Sequence, residues 1–396
     1  MEKATRQHTK NHNRALVLNT IFNHEEISRA EIARITRLTR TTVSEIVEDI
    51  IAEGLIQEVG VGHSSVGKNP LLLSLVADSR WVIGLDLAHN QFRGAIVNLR
   101  GVFREEVTIP FEGTDSDKTL QLVYSIVDQL LQKVNHPLLG IGVGTPGLVN
   151  TSEGMIINAV NLNWQNLPLT SLLQERYHIP ISVLNDSQAA AIGEKTYGKG
   201  YQPEENMVLI NILHGIGAGI IIQGSLFQGD GGSAGEIGHL VMVQEGGDLC
   251  RCGNHGCLET VASARALVKK ARTRIKKVPE SSLPHDPNEI DLAAINTAFA
   301  SGDPLAKELV FETAKYIGLA ISNIVGVLNI QKIVLAGDMT QFGKPWLDVI
   351  QETMYKYSLK RPLQNTTIQI AESGENSIIL GATAMLSNNY SLLFAH

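Results

Sequence analysis

All three cysteines of this 396-residue chain fall within eight positions. With an upstream histidine they read His239-x10-Cys250-x-Cys252-x4-Cys257. Three thiolates and one imidazole complete a tetrahedral zinc shell, so the segment must fold back on itself. Gly253 and Gly256 supply the tight turns this requires. With all four positions taken by protein, the expected zinc is structural; His255 is a competing ligand candidate. Glu236 stands three residues before His239, and Glu259 two after Cys257. A metal holding both ends of the segment would fix these carboxylates near each other. Ionised oxygens in a cleft accept hydrogen bonds from a hydroxyl-rich ligand.

The length calls for two or three domains. No uninterrupted apolar run of membrane-spanning length occurs, so no membrane span is expected. The polar N-terminus has no apolar signal core, and a cytoplasmic location fits the thiolate cluster. The net charge of −7 argues against indiscriminate nucleic-acid binding, but it is unevenly spread. Residues 1–75 are neutral overall, and the rest of the chain carries the whole excess. Within 1–44, eight basic residues face four acidic ones, which leaves room for a small basic face.

Residues 1–75 read as a winged helix-turn-helix. Ala15, Leu16, Leu18, Ile21 and Phe22 have helical spacing. Ser28 and Glu31 form a capping box opening a short helix over 29–35, with Ile32 and Ile35 inward. A turn at 36–38 follows. Thr39 then caps a third helix over 40–53, which Gly54 stops. The start of that helix offers Arg37, Thr39, Arg40, Thr41, Thr42 and Ser44, side chains suited to phosphates and base edges in a major groove. Strands at 55–59 and 71–75 flank a wing at 60–70, with Lys68 and Asn69 on its returning edge. The competing reading is a small helical dimerisation domain.

The body, 76–396, alternates strands and helices. Strands are expected at 81–86, 92–99, 102–109, 138–143, 181–186, 207–213, 220–223 and 333–337. Helices are expected at 120–134, 187–197 and 314–328. Strand ends carrying Asp, Gly and Asn beside helix starts are where α/β folds hold ligands. The starts near 81 and 207 hint at duplicated lobes, and 274–291 reads as a polar surface loop.

Four runs in order, GTPGLVN, NDSQAAAIGE, SAGEIGH and CRCGNHGCLE, resemble the ROK family of sugar kinases and sugar-responsive repressors. The resemblance covers the chain from about 79. The N-terminal unit looks like the one fused to the repressor branch, of xylose, glucose and N-acetylglucosamine type. It implies an α/β, two-lobed actin-like ATPase fold behind the winged unit, with a sugar in the cleft and a structural zinc. The lobes would span 79–193, with 376–396 returning to it, and 194–375. Asn185 and Asp186 stand where relatives hold sugar hydroxyls, and in the kinases the aspartate is the general base. Glu236, His239 and Glu259 match the remaining sugar contacts, with His239 sharing its two ring nitrogens between zinc and sugar. Asn161, before Trp164, is a further contact, and Gly147 borders the sugar.

The phosphate side departs from the family's pattern. Kinases of the family show D-x-G-G-T after the first strand; here the run is Asp86-Leu87-Ala88-His89-Asn90. Both glycines that would admit a phosphate are gone. The second loop, T-G-x-G-x-G in the kinases, reads His214-Gly215-Ile216-Gly217-Ala218-Gly219. The first reading is therefore a non-enzymatic repressor of carbohydrate-utilisation genes. It would use a monosaccharide effector, a palindromic operator, and a homodimer or homotetramer. The second is a sugar kinase with an appended regulatory domain. A third is a scaffold for a phosphotransferase-system protein.

Overall fold

The computed structural model describes residues 6–62, 69–88, 90–111, 115–199, 201 and 205–393. The chain opens with α1 (Arg6–Phe22), β1 (Ile27–Ser28), α2 (Arg29–Thr36) and α3 (Arg40–Ala52), then β2 (Ile56–Val61) and β3 (Leu71–Leu75). The three strands form one antiparallel sheet in the order β1-β3-β2. Ser28 and Glu31 make the capping box, and Arg37 ends α2 in the left-handed region at φ 58°. Ile32 is buried, but Ile35 is 47% exposed, contrary to the helical spacing. Leu38, just past the left-handed turn, packs on the core in its place. Lys68 lies outside the described residues; Asn69 is exposed.

This unit does not stand apart. Val17, Leu18 and Ile21 of α1 and Val43 and Val47 of α3 share one apolar cluster with Val82, Leu99, Leu139, Leu386 and Leu393 of the body. Arg100 donates to the carbonyls of Phe22 and His24, and its guanidinium lies 5.5 Å from the centroid of the Phe22 ring.

The body contains two sheets with the same plan. The first is built from β4 (Trp81–Leu87), β5 (Gln91–Asn98), β6 (Phe103–Pro110), β7 (Leu138–Thr145) and β11 (Ile181–Asn185). α4 (Ser116–Leu131) and α5 (Leu169–Tyr177) accompany it, with a small sheet of β8 (Leu148–Asn150), β9 (Met155–Ala159) and β10 (Trp164–Leu167). The second comprises β12 (Met207–Ile212), β13 (Ile216–Ile222), β14 (Ser225–Phe227), β15 (Lys332–Ala336) and β16 (Thr367–Ile370). The orders are β6-β5-β4-β7-β11 and β14-β13-β12-β15-β16. In each, the first three strands are antiparallel and the last two run parallel to the first. The duplication hinted at near 81 and 207 is therefore present strand for strand.

Each sheet's last strand leads to a helix: α6 (Asp186–Tyr197) after β11, and α13 (Ser377–Ser387) after β16, the latter followed by α14 (Tyr390–Leu393). α6 and α13 cross between the sheets with their backbones in contact. A Cβ on Gly381 would meet the Ala189 carbonyl oxygen at 1.6 Å, and one on Gly193 the Ser377 carbonyl oxygen at 2.2 Å. Only glycine allows that approach. A boundary at 193 falls inside α6, which continues to Tyr197 as one helix.

Around the second sheet lie α7 (Leu258–Ala262), α8 (Ala264–Arg274), α9 (Leu292–Ser301), α10 (Pro304–Leu328), α11 (Gly343–Tyr357) and α12 (Lys360–Leu363). α10 is long and apolar enough by composition to cross a membrane, although charged residues interrupt its apolar run. Its buried residues, Leu309, Val310, Ala314, Ile317 and Ile321 among them, belong to the core of this half. The expected surface loop at 274–291 is also partly core. Ile275, Leu283 and Ile290 are buried, and Asp303 accepts hydrogen bonds from Ser281 and Ser282. Polar residues misled there because the partner of Ser281 and Ser282 lies 22 and 21 residues away.

Candidate functional site

A cleft of about 1690 Å³ opens between the two sheets. Asn161, Asn185, Asp186, Glu236, His239, Glu259 and Gly147, all singled out from the sequence, line it. They come from separate elements: the end of β11, the start of α6, the loop after β7, the 3-10 turns at 160–162 and 237–239, and α7.

Asn185 caps α6. Its Oδ1 accepts from the amides of Ser187 (2.9 Å) and Gln188 (3.3 Å), while Nδ2 donates to the Gly147 carbonyl at 2.9 Å. Most of its hydrogen-bonding capacity is thus spent on holding the start of α6 to the Gly147 loop. Gly147 has φ 92°, and a Cβ there would strike the Asn158 carbonyl oxygen at 2.3 Å. Asp186 accepts from the Ser187 amide at 2.6 Å and hydroxyl at 3.0 Å. Burial pushes its carboxyl up to about 6, with Glu259 adding to the effect and the Ser187 hydrogen bonds opposing it. Loss of water in the cleft, then the charges of Asp186 and Glu259, raise Glu236 to about 7. Arg265 donates to Glu259 at 2.8 Å. These carboxyls can accept hydroxyl hydrogens, and Asp186 has the proton affinity of a group able to exchange a proton near neutrality.

The ligand atoms of His239, Cys250, Cys252 and Cys257 all lie within 4.8 Å of one another. Cys252 Sγ is 3.7 Å from Cys257 Sγ, and His239 Nδ1 is 3.5 Å from Cys250 Sγ. A tetrahedron with Zn–S about 2.3 Å and Zn–N about 2.0 Å has edges of about 3.8 Å (S–S) and 3.5 Å (N–S). The donor set therefore fits a zinc-sized ion. The other ring nitrogen of His239, Nε2, lies 3.6 Å from a Glu236 carboxylate oxygen. His255 is outside the cluster.

On the phosphate side, Asp86, Ala88 and Asn90 line the same cleft, and His89 lies outside the described residues. Burial, with Asp186 close by, raises Asp86 to about 7. The glycines of the second loop have a packing role. A Cβ on Gly215 would meet a Glu259 carboxylate oxygen at 2.4 Å, and one on Gly217 the Ser187 hydroxyl at 2.5 Å. They make room for the acidic side of the cleft.

Sequence reasoning missed two cations. Arg265 holds Glu259, and Arg251 donates to Asn161 Oδ1 across the cleft. A basic residue between two metal-spaced cysteines was the available signal for the second.

In the N-terminal unit, Arg37, Thr39, Arg40 and Thr41 are exposed, while Thr42 and Ser44 are partly covered. Thr39 Oγ1 caps α3 by accepting from the Thr42 amide at 3.2 Å, and the two threonine hydroxyls lie 2.9 Å apart. Thr39 and Thr42 therefore hold the helix start, and the arginines and Thr41 are left facing outward.

The model of the family described as ROK matches residues 82–389. The chain belongs to the ROK family. It is 32% identical over 381 residues to the xylose repressor of Caldicellulosiruptor bescii, covering 94% of this chain and 95% of that protein. It is 33% identical to a glucokinase of Halalkalibacterium halodurans, over 76% of this chain and 93% of the kinase. Among solved structures, a ROK family transcriptional regulator, a homologue of the Escherichia coli MLC protein, superposes with TM-score 0.83 at 28% identity. That match covers 98% of both chains. The two-sheet body is thus the actin-like ROK fold.

Proposed function

We propose that this ROK protein is a DNA-binding transcriptional repressor of carbohydrate-utilisation genes, with a monosaccharide of xylose or glucose type as effector. Its zinc is structural, held by His239, Cys250, Cys252 and Cys257; when bound, it fixes the positions of His239 and Glu259. Residues 1–75 act as a winged helix-turn-helix, with Arg37, Arg40 and Thr41 reaching operator DNA. A homodimer or homotetramer sets two such units on a palindromic operator. The full-length match to a repressor and to a regulator structure supports this reading.

One observation carries the coupling. α6 begins at Asp186 in the cleft and ends at Tyr197, whose ring stacks edge-on against Phe22 of α1 with centroids 6.4 Å apart. Twelve helical residues, about 18 Å, join the sugar side to the DNA-reading unit without an intervening loop. A sugar that draws Asn185 and Asp186 to a new position moves the seat of α1. The DNA-competent arrangement is depleted to the extent that sugar prefers the other one.

Removing residues 1–75 would uncover Leu139 and Leu386, so the sharper test keeps the fold intact. R37A/R40A should abolish operator binding in a mobility-shift assay while calorimetric sugar affinity stays within twofold. Unchanged operator binding would overturn the assignment. The kinase reading draws on Asp186, poised near 6, and on the glucokinase relative. Sugar-dependent ADP release at about 1 s⁻¹ or faster, an ordinary enzyme rate, would favour it instead.

A further inference from the structure

Resting on the repressor reading above, we propose that Arg100, in the β5–β6 turn, is the positioning residue that transmits the sugar's effect to the DNA-reading unit. Three parts of the chain meet at this turn: the last residue of α6, the end of α1, and the connection at 77–79 that joins the N-terminal unit to the body. Gly101 stands at φ 75°, and a Cβ there would meet the Tyr197 ring at 2.6 Å. The turn therefore lies directly on the last residue of α6. Beside it, Arg100 donates to the carbonyls of Phe22 and His24, the latter at 2.9 Å. Asn98 frames the turn by accepting from the amides of Arg100 and Val102, both at 3.0 Å. The Leu99 amide donates to the Ala77 carbonyl at 3.0 Å. Asn98 Nδ2 and Arg104 Nε both donate to the Asp78 carboxylate, at 3.3 and 2.7 Å.

α1 carries no basic residue in its last turn. The carbonyls at such a helix end hold partial negative charge and lack helical partners. His24 meets two of them, Thr20 through its ring Nδ1 at 2.7 Å and Ile21 through its amide at 3.2 Å. The next, on Phe22, is met by Arg100 from the body. Burial draws this guanidinium below its usual pKa, with the charge of Glu25 opposing. The shared cluster around it is apolar, with Val17, Leu18 and Ile21 of α1 beside Val82, Leu99 and Leu386. Apolar contact is non-directional, so it tolerates a slide of one surface over another. Two hydrogen bonds from one planar fork fix an orientation. When the end of α6 moves, the turn lying on it moves, and Arg100 carries the end of α1 along. Without the fork the apolar seat slips, and each site keeps its own residues but loses its hold on the other.

The test compares the full-length protein with its R100M variant, which keeps an unbranched apolar stem and loses the fork. The DNA is a duplex selected from a random pool by the unaltered protein, and the sugars are xylose, glucose and N-acetylglucosamine. Operator affinity is read by fluorescence anisotropy with and without sugar, and sugar affinity by calorimetry without DNA. In the unaltered protein, sugar should change the operator Kd about fivefold or more, the ordinary scale of coupling between sites. R100M should cut that factor at least about threefold and leave sugar affinity within about twofold. V82A thins the same apolar cluster and should lower the factor less than R100M does, which separates transmission from general loosening. A smaller fall in R100M, an equal fall in V82A, or a larger change in sugar affinity overturns the proposal and leaves the repressor reading standing. If no duplex is selected, or no sugar alters operator binding by the unaltered protein, both fall together. Should R100M fail to fold, judged by its melting curve, R100K replaces it. One ammonium does not span both carbonyls as the fork does, so the factor should fall at least about twofold; a smaller fall sinks the proposal.

Discussion

On the acidic side of the cleft, the polar groups are held by the fold. Glu259 is gripped by Arg265, Asp186 is braced by Ser187, and Asn185 is fixed between α6 and the Gly147 carbonyl. On the other side, none of the described residues 86–88 and 90 is a glycine that would bring its backbone up to a phosphate. Ala88 stands where the kinase pattern has its first glycine and Asn90 where it has its threonine, and Asp86 is a buried acid raised to about 7. The loop at 214–219 looked in the sequence like a remnant of the second region. Its glycines serve the first, because Glu259 and Ser187 fill the space beside them. Packing against the acidic side is therefore reason enough for these glycines.

Several measurements would break or sharpen that contrast. The largest effect should come from the metal knuckle, which belongs to the acidic side alone. Cys257→Ser should release one equivalent of zinc, measured by atomic absorption, and cost several kcal/mol of stability, because metal affinity is folding energy. Retention of a full equivalent would remove zinc from the argument. Next, Glu259→Gln should weaken sugar binding about 30-fold or more by calorimetry, the scale of a charged hydrogen bond. Asn90→Ala, across the cleft, should leave it within twofold. Comparable losses for both would mean that the two sides are one site.

Gly217→Ala should destabilise the protein by about 1–3 kcal/mol in urea with no nucleotide present, since its methyl group would overlap the Ser187 hydroxyl. A neutral result would return the loop to the phosphate side. The smallest effect concerns pH. Asp186 is raised from 3.8 to about 6 in the fold. Between those values the folded chain keeps a proton that the unfolded chain has lost, so this residue's contribution to stability declines as pH rises from about 4 to about 6. Its capacity to accept a sugar hydroxyl grows over the upper part of that window. Sugar affinity should climb several-fold from pH 5 to pH 7, and Asp186→Asn should remove the part of that climb centred near 6, leaving the part that follows Glu236 near 7.

Local signals were legible wherever neighbours in sequence are neighbours in space. The capping box at Ser28, the cap at Thr39, the buried strand 81–87 and the knuckle spacing all depend on contacts within a few residues. The seven cleft residues were named from motifs, and the fold brings them together. Ile35 was placed inward because its periodicity cannot register the left-handed turn at Arg37. The loop at 274–291 looked solvated because Asp303 could not be paired with it in advance. The grip of Arg100 on α1 and the shared core of the N-terminal unit left no trace in the chain's order.

By itself the sequence determined the types of the elements it placed, the four residues that could hold a metal and the identity of the acidic residues, because spacing and side-chain chemistry are local properties. Tertiary structure alone decided which glycines make room for which carboxylates. It also decided that Arg251 crosses to Asn161, and that one helix links the cleft to α1. Those facts depend on where backbones pass each other, and close approach between distant segments is fixed only when the two sheets pack.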